Sequence, residues 1–273
     1  MMQRRAFLAG VLFLLVFAGV MTAVGNGGWP GTASRCVAEA NCYCETGSGL
    51  VAQPANTFSN LGFVAVGLMV LWHAGREALR FGGDPVYPIL YGAVALWLGP
   101  GSMAFHGTLT DWGQFLDNQS MYAFISFPIA YSLRRAHGWD RTRFLIAYLT
   151  INLAAIIAHA LAPEYSRQIF GTMIGLALVA EAMARRPGLR PWSKQPALDG
   201  TRGYLLAAAG VFALAFVAWR LSHTGGIWCE PTSLLQGHAL WHLLAAAAVA
   251  LLYLHLRSQP TAVLAQSLVT ASR

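Results

Sequence analysis

Eight apolar stretches of about 20 residues, the length needed to cross a hydrocarbon core, recur along this chain at 6–24, 58–75, 87–106, 113–133, 143–161, 167–184, 203–222 and 237–256. Within lipid every backbone N–H and C=O must be satisfied internally, which leaves helices or a closed barrel as the spanning structures. Runs this long read as helices, and the short connections leave little soluble mass. The charged fraction of 11% agrees, set against roughly 25% in an average soluble protein. The fold class is therefore all-α, a polytopic membrane helix bundle.

The net charge of +7 follows topology. With the N-terminus in the cytoplasm and the helices alternating, only Arg35, Arg167 and Arg220 of the 18 Lys and Arg residues fall on the outer side. That asymmetry is the positive-inside signal, and it also places the C-terminus in the cytoplasm. Anionic lipid headgroups are the natural partners of this basic face, so no nucleic-acid partner is expected. All four cysteines, Cys36, Cys42, Cys44 and Cys229, fall on the outer side, where disulfides persist. Four cysteines allow three connectivities. At least one bridge is expected to tie the 26–56 loop to the loop before the last helix.

Arg4-Arg5 followed by the first apolar run reads as an uncleaved signal-anchor helix or a signal-like segment. The proline-bearing stretch Arg185 to Arg202 reads as a cytoplasmic loop, and the tail after Ser258 as disordered. Gly99-Pro100-Gly101 is expected to interrupt the third helix just before Ser102. Asp111 with Gln114 three residues on fits a capping pattern, which starts the fourth helix near Trp112.

Five polar residues then stand out, because ionisable and polar groups near the ends of apolar helices mark function by default. Ser102 and His106 are four apart and share a helix face, as do His238 and His242. Asp117 lies in the second turn of the fourth helix. All five fall at similar depth in the outer part of the membrane. Three neutral imidazoles suit zinc and leave a fourth position for water, whose pKa the ion lowers. A carboxylate can move the proton, and a hydroxyl can hold a substrate carbonyl. Taken singly, each has a plainer reading: an interfacial or packed histidine, a helix-to-helix hydrogen bond at Asp117, a backbone contact at Ser102.

The combination Ser-x3-His, an aspartate eleven residues on, and a C-terminal His-x3-His resembles the alkaline ceramidase family. It is also similar to the wider group of seven-helix membrane hydrolases that includes the adiponectin and progestin receptors. The segments carrying the likeness are Gly101-Ser-Met-Ala-Phe-His-Gly-Thr-Leu, Gly113-Gln-Phe-Leu-Asp117, Gln236-Gly-His-Ala-Leu-Trp-His242 and Asn56-Thr-Phe-Ser-Asn60. They imply residues 1–25 as an added signal-anchor or signal-like helix, 26–56 as an extracytoplasmic cysteine-containing loop, 57–257 as a seven-helix catalytic domain and 258–273 as a cytoplasmic tail. The implied activity is hydrolysis of the amide of ceramide-like membrane lipids. Zinc would sit on His106, His238 and His242, with Asp117 and Ser102 assisting catalysis. Trp241 either walls the pocket or packs. The family's calcium site carries over poorly: Glu45 stands in the acidic segment, Gln53 stands where a glutamate is expected and Gly47 where an asparagine is, so Glu45 and Gln53, with backbone carbonyls, would offer calcium only a weaker site. Six or more oxygens are required of such a site, so calcium is poorly served. Cys44 and Cys229 match the family's luminal disulfide in position.

Three function classes fit these residues: a zinc amidohydrolase, a zinc-stapled receptor-like or structural membrane protein, and a haem protein using histidines across helices. In the first, lipid enters sideways between helices, its headgroup at the outer interface and its acyl chain beside Phe105, Phe115 and Leu240.

Overall fold

A computed structural model describes residues 2–39, 42–47, 49–81, 83–185 and 200–259. Ten α-helices follow in order among them: α1 (Met2–Gly25), α2 (Arg35–Ala38), α3 (Pro54–Ser59), α4 (Leu61–Glu77), α5 (Val86–Thr108), α6 (Asp111–His137), α7 (Arg141–Leu161), α8 (Ser166–Arg185), α9 (Gly200–Leu221) and α10 (Gly237–Arg257). The described residues contain no strand, only an isolated bridge between Ala33 and Thr110. The protein is an all-α, polytopic membrane helix bundle. Most of the Arg185–Arg202 loop and of the tail after Ser258 lie outside the described residues.

Among the described residues, seven helical spans are long and apolar enough to cross a membrane, α3 and α4 counting as one. The long helix that falls short is α6. Its 27 residues carry Asp117, Asn118, Gln119, Ser120, Ser126 and Ser132, which lowers its mean hydropathy. Asn118, Ser120, Ser126 and Ser132 are buried, while Ile146, Leu149, Leu153 and Ile157 of α7 are exposed. Polar inside and apolar outside is what a lipid solvent selects.

The chain divides into two units. The first holds α1 to α5, the start of α6, and α9 with α10. Here α5 packs on α3 and α4, and α10 packs on α3, α4 and α9. α1 lies against α4 and α5 through Phe7 on Trp72 and Phe13 on Trp97. The second holds the rest of α6 with α7 and α8. Its core joins Tyr122, Ile125 and Ile129 of α6 to Ala155 of α7 and to Met173 and Ala180 of α8. Glu181 on α8 accepts from Ser132 and Arg135 of α6 and from Arg185, an enclosed ion pair at that end of the unit.

Two local expectations are corrected. The α5 helix does not break at Gly99-Pro100-Gly101 but runs through Pro100 to Thr108. Pro100 forfeits the hydrogen bond to the carbonyl four residues back, and tight packing holds the helix together. A Cβ on Gly99 would stand 2.5 Å from Val64 Cγ2 and 3.1 Å from the Asn60 carbonyl. At the start of α6 the capping group is Thr110, whose Oγ1 accepts from Gly113 N, while Asp111 accepts from Thr32 instead. Leu109, at φ +50°, makes the left-handed turn between α5 and α6. The segment after α1 ties down this turn: Ser34 N donates to the Leu109 carbonyl and Trp112 Nε1 to the Pro30 carbonyl.

Close approach of α4 and α5 rests on Gly67, where a Cβ would lie 2.4 Å from Leu96 N and 2.5 Å from its Cα. Backbone cannot rotate away as a side chain can. Gly67→Val should therefore destabilise the detergent-solubilised protein by at least the roughly 1–3 kcal/mol typical of overpacking, read as a lowered Tm. An unchanged Tm would show that the two helices are not held at this distance.

Candidate metal centre

The α5 helix carries Ser102 and His106 on one face, and α10 carries His238 and His242 on one face. Because α3 packs on both helices, the histidine faces meet beside it. His106, His238 and His242 converge into one buried cluster, with one ligand nitrogen from each lying within 4.8 Å of the others. Ring centroids are 4.8 Å apart for His106 and His238, 5.0 Å for His106 and His242, and 4.5 Å for His238 and His242. The Nε2 atoms of His106 and His238 stand 3.2 Å apart. Two nitrogens each about 2.0–2.1 Å from a tetrahedral zinc are roughly 3.3 Å apart, so the spacing suits a shared ion.

The residues around the cluster define its protonation. Gln53 is 1% exposed. Its Nε2 donates to the carbonyls of Tyr43 (2.7 Å) and Glu45 (2.9 Å), which fixes which end of the amide is which. Its Oε1 therefore faces His106 Nδ1 at 2.7 Å, where only an N–H makes a bond. With Nδ1 protonated, His106 Nε2 keeps its lone pair and points into the cluster. His242 Nδ1 lies 2.8 Å from Ser59 Oγ and 3.3 Å from Asn60 Nδ2, and the ring also bonds the Asn56 carbonyl. Ser59 donates to that same carbonyl at 2.9 Å, which leaves its oxygen to accept from Nδ1. Carboxylate, amide or carbonyl partners on the outer ring nitrogen are the usual support of metal-bound histidine.

Ser102 is buried one turn before His106, and its hydroxyl hydrogen-bonds the carboxylate of Asp117, which stays partly exposed. The structure thus brings the three histidines together and pairs the serine with the aspartate. Glu45 and Gln53 also meet, through the bond from Gln53 Nε2 to the Glu45 carbonyl, and their side-chain oxygens are taken by other protein groups. Both Glu45 oxygens accept from the first backbone amides of α3, at Ala55 (2.7 Å) and Asn56 (2.8 Å), and Gln53 Oε1 accepts from His106 and from Asn56 Nδ2. Trp241 turns to α9, against Phe212 and Trp219, so packing is its part. Phe105 is buried, whereas Phe115 and Leu240 are exposed.

Disulfides join Cys36 to Cys42 and Cys44 to Cys229. The second ties the 26–56 loop to the loop before α10, as expected. Sequence reasoning missed Tyr43, Ser59 and Asn60 as neighbours of the cluster. The Asn56-Thr-Phe-Ser-Asn60 run was a signal for the last two, since four amide and hydroxyl residues among five at the start of an apolar span need partners.

Helices of membrane-crossing length enclosing three imidazoles and a serine–aspartate pair define an integral multi-pass membrane protein with a candidate metallohydrolase centre. The Ceramidase family profile matches residues 39–264, most of the chain, and the protein belongs to that family. Membership of that family implies a hydrolase acting on amide bonds and supports a ceramide-hydrolysing function. No curated protein matches the chain.

Gln53 joins the loop, α3 and α5 in one buried amide. Gln53→Leu orphans the Tyr43 and Glu45 carbonyls and the His106 N–H, each a buried group worth roughly 1–3 kcal/mol when unpaired. Purified Gln53→Leu is expected to melt well below the wild type, and a Tm within error of wild type would remove Gln53 from its bridging place.

Proposed function

We infer that the protein is a zinc-dependent intramembrane amidohydrolase that cleaves the N-acyl amide of ceramide-like sphingolipids to a sphingoid base and a fatty acid. The observation that carries this reading is the approach of His106 and His238 Nε2 to 3.2 Å, with His106 Nδ1 protonated and His242 supported on Nδ1, beside the Ser102–Asp117 pair. His106, His238 and His242 would hold the ion. A zinc ion there would polarise the amide carbonyl and lower the pKa of water.

The remaining steps belong to this chain. Asp117 accepts a proton from the attacking water as its oxygen bonds to the amide carbon, then gives that proton to the departing nitrogen as the C–N bond breaks. Partial exposure suits a carboxylate that has to reach substrate. Ser102 donates to Asp117 in the resting state and holds the carboxylate in place, and its hydroxyl would turn to donate to the developing oxyanion. The apolar exterior suits lateral entry of a lipid. With the N- and C-termini in the cytoplasm, as the charge asymmetry favours, the site lies near the extracytoplasmic face.

The direct test is release of fatty acid from a fluorescent acyl-ceramide by detergent-purified protein. The wild type should be active, and chelation or His242→Ala should abolish turnover. Asp117→Asn should lower kcat by roughly 10²–10⁴, the usual contribution of a general acid–base. Zinc-loaded, folded wild type without turnover would overturn the catalytic reading in favour of a receptor-like or structural role. Topology has its own check: a reporter active only in the cytoplasm, fused after Ser258, should be active, and silence there would invert the orientation.

A further inference from the structure

The three histidines are not held alike. His106 is fixed by the Gln53 amide and His242 by Ser59 and the Asn56 carbonyl, whereas His238 Nδ1 is buried with no hydrogen-bond partner. What lies against His238 is the ring of Tyr43, at a centroid distance of 3.6 Å and an interplanar angle of 17°. That is close to full overlap at van der Waals thickness, tighter than the roughly 4.5–7 Å common for aromatic pairs. A ring so placed blocks rotation of the imidazole out of its plane.

Tyr43 is itself held from several directions. It sits between two half-cystines, Cys42 bridged to Cys36 and Cys44 bridged to Cys229. Its carbonyl accepts from Gln53 Nε2, the same amide that orients His106. Thr224 donates to the neighbouring Cys42 carbonyl, and Thr46 N donates to the Pro231 carbonyl at 3.0 Å. Cys229 and Pro231 belong to the loop that leads into α10 and hence to His238. The tyrosine is clamped to the chain segment whose histidine it covers.

We propose that Tyr43 is the positioning residue for His238, doing by stacking what hydrogen bonds do for His106 and His242, and that the Cys44–Cys229 bridge holds it in place, so metal retention depends on that disulfide. This rests on the metal-centre reading above. It requires a ring at position 43, not a hydroxyl. It also makes the bridge and the ring parts of one device, whose removals are not additive.

The test compares wild type, Tyr43→Phe, Tyr43→Leu, Cys44→Ser/Cys229→Ser and the triple variant. Serine replacement avoids dithiol reductants, which chelate zinc. Two readouts are used: zinc retention against a competing chelator, and the visible spectrum of the cobalt-substituted protein, which reports ligand geometry. Tyr43→Phe should match wild type in both. Tyr43→Leu should lose roughly 10–100-fold in affinity, as loss of an outer support does, and shift the cobalt bands, with the metal-free Tm little changed. The double cysteine variant should lose a similar factor, and the triple variant little more. Affinity and spectrum unchanged in Tyr43→Leu overturn the proposal, as does equal loss in Tyr43→Phe or full additivity in the triple variant. A folded wild type that retains no zinc or cobalt overturns the metal-centre reading itself, a result distinct from all of these.

Discussion

The first unit depends on one buried amide. Gln53 spends both donors on the carbonyls of Tyr43 and Glu45 and its oxygen on His106 and Asn56. In water these bonds would be nearly neutral exchanges. In an apolar interior each unmade bond costs the full desolvation of its group, so the four are made together or the region comes apart. The consequence is geometric: the outer loop, the short α3 helix and the end of α5 are registered against one another by this side chain together with backbone bonds from Ala52 N to the Gly107 carbonyl and from Gln53 N to the His106 carbonyl. Glu45 adds to this by taking two amide donors of α3 that have no partner within the helix, and its charge complements that end of the helix.

Much of this architecture is legible in the sequence because lipid is a demanding solvent. Apolar runs of spanning length announce helices wherever they occur, and the pairs Ser102/His106 and His238/His242 declare their shared faces by spacing alone. Depth did the rest for the site. Residues expected at one level on different helices have few places to go, and the three histidines of α5 and α10 meet. What the sequence did not disclose are contacts between a loop and a helix, where no periodicity exists to read. Gln53 looked like a weak cation ligand because its type was read without its partners, and Tyr43 carried no signal at all.

The two local misreadings share a cause. Pro100 reads as a break from its own chemistry, yet Gly99 brings α5 so close to Val64 and Asn60 that packing on the neighbouring helix keeps it continuous. Asp111 looked like the start of a capping box, but Thr32 was there to occupy it and Thr110 took the cap. In both, tertiary packing outweighed a local preference worth only about 1–3 kcal/mol.

Placing the histidines on α5 and α10, the serine on α5 and the aspartate on α6 puts every candidate reacting group on a long helix, and leaves only the supports to the loop and the short α3. The gain is precision, since helices set angles that loops do not hold. The liability is that three buried imidazoles share few partners: the His106 and His238 Nε2 atoms, 3.2 Å apart, have one hydrogen bond between them, and His238 Nδ1 has none. An ion bound at such a centre would become part of the stability of the folded unit, because an ion that binds the folded form alone adds its binding energy to folding. The disulfide from Cys44 to Cys229 works in the same direction by a different route. It joins residues 185 positions apart and keeps the loop over the histidines whether or not an ion is there to hold them. The covalent constraint and the ionic one that a bound metal would add fall on the same few residues, and the geometry at His238 is where they would meet.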